Sequence, residues 1–200
     1  MRRHSVGHAR WYAHVNGLGA TREMRDWLTD TMSLTMKLMA RSAHFRVRRL
    51  RQERALCLSD EAEMVELPRR SYVQEREVLL QCDGRPVVFA HTIVPLSATT
   101  SDWPFFGTLG ERSLGTTLFG DPRVVRGKLQ YARLRAQHPL AERARAALGE
   151  NACDVPIFAR RCLYRRRNGV LLVTELFLPA IVELKALPAQ LNSADRFGNR

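Results

Sequence analysis

Two pairs of apolar runs, each joined by a turn dipeptide, constrain the fold most strongly. Asp-Gly and Asn-Gly both accept the positive φ angles that a tight two-residue turn requires. In chain order, the runs and their turns are 72–82, Asp83-Gly84 and 85–94, then 157–167, Asn168-Gly169 and 170–178. The sequence therefore predicts two β-hairpins, whose strands belong to an antiparallel sheet.

The first quarter of the chain predicts two helices and a strand. Thr21 is a typical N-cap and precedes apolar residues at helical spacing up to Leu28. A second apolar pattern follows Ser33 and predicts a helix at about 33–42. From His44 onwards the pattern alternates between apolar residues and arginine, which indicates a strand with one charged face.

The segment between the two hairpins contains the remaining predicted elements. Residues 97–112 are rich in Ser, Thr, Pro and Gly and predict a loop, and a short helical turn follows near 114–118. Leucines at 123–148 predict a helix that Pro139 must break or kink. The predicted fold class is α+β: a single domain in which helices pack on an antiparallel β-sheet of hairpins.

Length and composition suit one compact domain, since the chain has 200 residues of which 45% are apolar. Residues 1–20 and 188–200 are polar, so we expect a flexible N-terminal segment and a flexible tail around a domain at 21–187. The longest apolar runs are far shorter than the roughly 18 residues of a membrane-spanning helix, and no secretory signal is recognisable. We therefore expect a cytoplasmic protein without an integral membrane segment.

The net charge and the positions of the cysteines limit the kinds of ligand that the protein could bind. The net charge is +12, and all but three of the 32 basic residues are arginine. Arginine binds carboxylates and phosphates in two-pronged fashion, so the charge is compatible with nucleic acid, an anionic membrane surface or a small polyanionic substrate. Few aromatic residues lie among the arginine clusters, which disfavours nucleic acid. The cysteines are far apart, so we expect no metal site and no disulfide: Cys57, Cys82, Cys153 and Cys162.

Two charged residues share a strand face with apolar residues. Arg76 alternates in phase with Val78 and Leu80, and Glu175 alternates in phase with Val173. A lone buried charge is costly, so each residue needs a partner. One interpretation is a structural salt bridge between Arg76 and Glu175. The other is a dry pocket in which Arg76 binds a ligand carboxylate, while Glu175, its pKa raised by desolvation, exchanges a proton.

Five motifs resemble one enzyme family over residues 26–180. They are R-E-V-L-L from Arg76, C-D-G-R-P from Cys82, T-I-V-P from Thr92, L-G-E-R-S-L-G from Leu109 and L-V-T-E-L-F-L-P-A from Leu172. In this order and spacing they are similar to the chorismate pyruvate-lyases. The resemblance implies a single α+β domain that converts chorismate to 4-hydroxybenzoate and pyruvate, the first committed step of ubiquinone biosynthesis, without a cofactor.

The resemblance also implies site residues. Arg76 matches the family's carboxylate-binding arginine, and Glu175 matches its buried glutamate, so both are expected to be catalytic and to contact substrate and product. Leu114, in Ser113-Leu-Gly, matches a leucine that contributes its backbone N–H. Leu34 matches an apolar residue of the early helix that lines the pocket.

The chain departs from the family pattern at three places. Leu34 stands where some members have a methionine. His91 stands where the family has an arginine before T-V-V-P, and a histidine ordinarily titrates near neutrality. Residues 134–153 resemble a helical insertion. An alternative function is a non-catalytic module of the same fold that binds a small carboxylate effector, but the retained Arg76 and Glu175 favour the enzyme. We expect a monomer that binds chorismate and 4-hydroxybenzoate, with no nucleic-acid partner.

Overall fold

A six-stranded antiparallel sheet is the frame of the domain, as the hairpins predict. The computed structural model describes residues 8–149 and 156–186, and the strand order in the sheet is β1-β2-β3-β6-β5-β4. The strands are β1 Phe45–Leu56, β2 Tyr72–Cys82, β3 Arg85–Pro95, β4 Val124–Leu134, β5 Ile157–Arg166 and β6 Gly169–Phe177. The helices are α1 Arg22–Thr29, α2 Leu34–Met39, α3 Leu114–Gly120 and α4 Pro139–Leu148.

Both predicted hairpins are confirmed, although one turn is displaced. The β2–β3 turn consists of Asp83 and Gly84, with φ angles of +50° and +79°. The β5–β6 turn lies one residue earlier than the sequence predicts, because Arg167 takes the positive φ of +54° and Gly169 is already the first residue of β6. This displacement sets which residues of β5 and β6 lie opposite each other.

The helix predicted over 123–148 is wrong in its first half. Residues Val124–Leu134 form the edge strand β4, which pairs with β5, and the helix α4 begins at Pro139. Proline is favoured in the first turn of a helix, where its missing N–H has no partner to lose. The apolar spacing was compatible with either structure, and pairing with the neighbouring strand decided the outcome.

Part of the segment predicted to be flexible packs on the domain. The backbone of Tyr12 pairs with that of Tyr131 in β4, and the side chains of Val15 and Leu18 are buried. These contacts join the N-terminal segment to the sheet from residue 12 onwards. The predicted tail at 188–200, Cys153 and the last part of the 134–153 insertion lie outside the described residues.

Helices and loops cover both faces of the sheet. The front face, which carries Arg76, is covered by α1, α2, α3 and the 97–112 loop. The back face is covered by α4 and residues 57–67. Among the described helices, none is long and apolar enough to cross a membrane.

The two edge strands carry exposed basic side chains. They are Arg46, Arg48, Arg49 and Arg54 on β1, and Lys128 and Arg133 on β4. The central strands β2, β3 and β6 are mostly buried, so the functional residues on them are shielded from water.

Candidate functional site

The front face of the sheet carries a partly open pocket under α2 and α3. It contains about 560 Å³ of unfilled space, its solvent-facing mouth included. Its polar side chains are Thr35, Arg76, Thr92, Ser113, Arg126, Arg160, Tyr164 and Glu175. Its apolar side chains include Leu34, Val47, Val78, Leu80, Ala90, Leu114, Leu118 and Val173. Three arginines and one glutamate give the pocket a positive charge in apolar surroundings, which suits a small anionic ligand.

Two short helices cover this pocket with their first turns. Ser33 and Ser113 are the N-caps of α2 and α3, so Leu34 and Leu114 are the first helical residues. The backbone N–H of a first helical residue has no partner within the helix and is available to a ligand. A hydrogen bond of 2.7 Å between the Thr35 and Ser113 hydroxyls holds the two helices together. The structure thus places both leucines implied by the resemblance on the wall of the pocket.

Arg76 is a buried cation whose neighbours do not neutralise it. Its side chain donates from Nη2 to the carbonyl oxygens of Gly110, at 3.0 Å, and Arg112, at 2.9 Å. Its Nε is buried and has no hydrogen-bond acceptor within the described ranges, where it also forms no ion pair with a carboxylate. Burial, together with the like charge of Arg49, lowers the pKa of Arg76 to about 10, so it stays charged at neutral pH. An anionic ligand would complete its coordination.

Glu175 pairs with Arg160, so of the two interpretations the structural salt bridge between Arg76 and Glu175 is wrong. Nε of Arg160 donates to Oε2 of Glu175 at 2.6 Å, and the glutamate side chain is 19% exposed. In this hydrogen bond the carboxylate of Glu175 is the acceptor and the buried guanidinium of Arg160 is the donor. The guanidinium of Arg160 also lies 5.5 Å from the ring centroid of Phe177.

The register of the sheet sets the distance between the two predicted catalytic residues. Arg76 lies opposite Thr92, and Thr92 lies opposite Val173, two residues before Glu175 on β6. With about 4.8 Å between strands and about 3.4 Å per residue, the two Cα atoms are roughly 12 Å apart. Both side chains enter the pocket, so they can contact opposite ends of one small ring.

The sequence does not identify three polar residues of the pocket, Arg126, Arg160 and Tyr164. Arg126 was predicted to lie on a helix, although alternation along β4 places its side chain in the pocket. Arg160 lies directly opposite Glu175 on β5, and the turn position is the signal that could have identified it. Burial raises the pKa of Tyr164, so its hydroxyl stays protonated and can donate a hydrogen bond.

The back face carries a buried cluster of charged residues behind the pocket. Nε2 of His91 lies 3.0 Å from Oε1 of Glu61, and Nδ1 lies 3.2 Å from Oε1 of Glu77. Glu75 is also close, with its Oε2 at 3.8 Å from Nδ1. Burial alone would lower the pKa of His91, but the Glu61 and Glu77 carboxylates raise it to about 10. The expectation that His91 titrates near neutrality is therefore wrong, because a pKa of about 10 keeps this histidine protonated at neutral pH.

Two arginines complete this cluster. Arg143 of α4 contacts Glu75 at 3.0 Å and Glu77 at 2.7 Å, and Arg51 of β1 contacts the same carboxylates at 2.8 and 3.2 Å. Burial alone would raise the pKa of Glu77, but His91 and Arg143 lower it to about 2. Three carboxylates therefore face three cations. Glu75, Glu77 and His91 are also residue types that bind metals, but the arginines already neutralise these carboxylates, and we assign no metal to the cluster.

The fold and the pocket define a class: a single α+β domain with a shielded cationic pocket that fits a small carboxylate. The family model described as "Chorismate lyase" matches residues 8–186 of the chain. This protein belongs to the chorismate lyase family.

Curated relatives agree with this assignment. A "Probable chorismate pyruvate-lyase" of Ralstonia nicotianae is 48% identical over 157 residues, which are 78% of this chain and 80% of that protein. A relative of the same name from Cupriavidus metallidurans is 45% identical over 175 residues, or 87% and 82% of the two chains. A third, from Dechloromonas aromatica, is 42% identical and covers 88% of this chain and 98% of its own.

Solved structures share the fold at low sequence identity. The PhnF C-terminal domain has a TM-score of 0.52 at 14% identity, and covers 74% of this chain and 92% of its own. PhnF from Mycobacterium smegmatis has a TM-score of 0.51 at 15% identity, and covers 81% of this chain and 70% of its own. At this identity the likeness shows the fold alone.

Proposed function

We propose that this protein is a chorismate pyruvate-lyase, which converts chorismate to 4-hydroxybenzoate and pyruvate in the first committed step of ubiquinone biosynthesis. The observation that carries the proposal is Arg76, a buried guanidinium that faces the pocket and lacks a counterion in the described structure. Membership of the chorismate lyase family supplies the substrate class for that cation.

The substituents of chorismate match the ends of the pocket. Chorismate carries a carboxylate on ring carbon C1 and a hydroxyl on C4, directly across the ring. Arg76 binds the C1 carboxylate, the backbone N–H of Leu114 donates to the same end, and Leu34 forms part of the apolar wall. Glu175, on the other side of the pocket, accepts a hydrogen bond from the C4 hydroxyl, which becomes the phenol of the product.

The reaction breaks the ether bond at ring carbon C3 and removes the proton from C4. The methylene carbon of the departing enolpyruvyl group gains a proton, so that pyruvate forms and the atoms balance. Because the ring becomes aromatic, the step is strongly downhill, and the protein contributes mainly by fixing the reactive conformation. Arg160 contributes by holding the Glu175 side chain in one orientation.

Shielding from water strengthens these interactions. Leu114 and Leu118 of α3 and Leu34 of α2 cover the sheet on the side of the reacting ring. In the resulting low-dielectric surroundings, the hydrogen bonds to the two ends of the ring act more strongly than they would in water. We propose that the residues of this chain suffice for the step without a cofactor.

The proposal includes the setting in which the protein works. Cys57, Cys82 and Cys162 are free thiols, which supports a reducing compartment such as the cytoplasm. The charged edges of the sheet disfavour pairing between copies, which supports a monomer.

A direct assay tests the proposal. Purified protein is mixed with chorismate, 4-hydroxybenzoate is followed by absorbance, and pyruvate is measured by coupling to lactate dehydrogenase. We expect equal amounts of both products, and we expect Arg76→Gln to abolish most of the activity. Exposed Arg48→Gln, on the edge of the sheet, serves as the matched control and should retain full activity.

The same assay, combined with calorimetry, distinguishes a lyase from the alternative function. A non-catalytic effector-binding module would bind 4-hydroxybenzoate or chorismate in calorimetry and release no pyruvate. Binding without turnover in the wild-type protein would therefore contradict the lyase proposal.

A further inference from the structure

Arg126 lines the pocket on a side that differs from those of Arg76 and Glu175. It lies on β4 opposite Tyr164, and Tyr164 lies opposite Leu171 on β6. Strand spacing and rise place its Cα roughly 16 to 20 Å from those of both Arg76 and Glu175. The Arg126 side chain lines the same pocket as those of Arg76 and Glu175. The three charged residues therefore form the corners of a triangle around the ligand.

The guanidinium of Arg126 is incompletely satisfied. Its Nη1 donates to the carbonyl oxygen of Thr31, and its guanidinium carbon lies 5.5 Å from the ring centroid of Phe119. Its Nε is buried without a hydrogen-bond acceptor in the described part of the chain. The Cys162 thiol lies nearby, but sulfur is a weak acceptor and this thiol itself donates to the Gly127 carbonyl oxygen at 3.4 Å. A buried donor without a partner indicates a ligand that supplies one.

The other arginine on this side of the pocket is already engaged at Nε and Nη1. Arg160 is 2% exposed and donates from Nε to Glu175. Its Nη1 faces the carbonyl oxygens of Trp27, Leu28 and Asp30, at 3.2, 3.4 and 2.7 Å. Arg126 is therefore the better candidate for a second anionic group.

Chorismate carries such a group, because its enolpyruvyl ether at C3 ends in a second carboxylate. This carboxylate lies to one side of the axis from C1 to C4, which Arg76 and Glu175 define. We infer that Arg126 binds the enolpyruvyl carboxylate and so makes the pocket specific for a dicarboxylate substrate. The inference rests on the proposed function and deepens it, since 4-hydroxybenzoate lacks this group.

The contrast between substrate and product provides the test. We would compare the wild-type protein with Arg126→Gln, measuring kcat/KM for chorismate and the Kd of 4-hydroxybenzoate by calorimetry. Loss of one charge-assisted hydrogen-bond partner should lower kcat/KM by about 10- to 100-fold. The Kd of 4-hydroxybenzoate should stay within about threefold. Arg123→Gln is the matched control, since Arg123 precedes the same strand with its side chain 59% exposed, and it should change neither quantity.

Three results would overturn the inference. Unchanged kcat/KM in Arg126→Gln would show that the second carboxylate binds elsewhere. Equal losses for substrate and product would show that Arg126 acts only by holding the covering segment at Thr31. If Arg126→Gln does not fold, Arg126→Lys decides: it keeps the charge without the two-pronged geometry, and an unchanged ratio of chorismate to 4-hydroxybenzoate affinity would refute the assignment.

Failure of the proposed function is recognisable separately. It appears as absent turnover in the wild-type protein, whereas failure of this inference appears only in the Arg126 variants of an active enzyme.

Discussion

Replacing His91 with glutamine tests whether the buried charge cluster stabilises the sheet. In the folded protein, three carboxylates face three cations, and His91 contacts Glu61 and Glu77 directly. His91→Gln removes one cation and leaves one buried carboxylate without compensation. Breaking a buried pair in this way costs about 3 to 5 kcal/mol of unfolding free energy. For a domain of this size, Tm should fall by about 6 to 20 °C, at roughly 2 to 4 °C per kcal/mol.

The pH dependence of this effect has a definite sign. The pKa of His91 is about 10 in the folded protein and about 6.5 in the unfolded chain. A raised folded pKa contributes stability that is fully present below the unfolded value and is lost as pH rises through the folded value. The difference between wild type and variant should therefore be largest at pH 6 and should shrink towards pH 10. Glu77, with a pKa of about 2, has the opposite sign and loses its contribution as pH falls from about 4.5 to 2.

Urea unfolding followed by far-UV circular dichroism at pH 6, 8 and 9.5 measures these differences. His44→Gln is the control, because His44 is exposed and its substitution should cost almost nothing. A loss under about 1 kcal/mol, or a loss that stays constant from pH 6 to 9.5, would refute the assignment of a charged His91 to this cluster.

Three further predictions concern the pocket. Arg76→Ala should weaken calorimetric binding of 4-hydroxybenzoate more than Arg76→Lys does, because lysine keeps the charge but loses the two-pronged geometry; equal weakening would argue against carboxylate binding. Glu175→Gln should lower the Tm, because it leaves the buried Arg160 guanidinium without its carboxylate partner, and should also lower turnover about 10²-fold; a destabilised variant with normal turnover would assign Glu175 a structural role. Turnover should persist after treatment with EDTA, and a loss that one added metal restores would contradict a reaction without cofactor.

The hairpins were predictable because their turns are local, whereas β4 was not. Asp83-Gly84 specifies a tight turn by its own φ preferences, whatever surrounds it. Val124–Leu134 has leucines at spacings compatible with a helix, and only its pairing with β5 makes it a strand. That partner lies beyond α4 in the chain, so the deciding interaction is not local.

Arg76 was predictable from alternation, but the partner of Glu175 required the exact register. A turn centred on Asn168-Gly169 would place Glu175 opposite Cys162. The observed turn lies one residue earlier and places it opposite Arg160. Moving the turn by one residue therefore changes the residue opposite Glu175 from a cysteine to the arginine that pairs with it.

The back-face cluster was hidden by the same alternation. Glu75 and Glu77 fall on the face opposite Arg76, and acidic residues on such a face ordinarily meet solvent. Here α4 covers them and brings Arg143, a residue 66 positions away from Glu77, into contact. Neither segment alone carries a sequence pattern that predicts a contact between residues so far apart in the chain.

The basic edge strands have a consequence for behaviour at high concentration. An unpaired strand edge is a template on which a second copy could add its own edge and begin a growing aggregate. Arg46, Arg48 and Arg54 on β1 present like charges to any approaching copy of the same strand. Reversing these charges to glutamate along one edge only should make the two edges mutually attractive. The altered protein should then form open-ended chains, and light scattering at high concentration would compare it with the natural one.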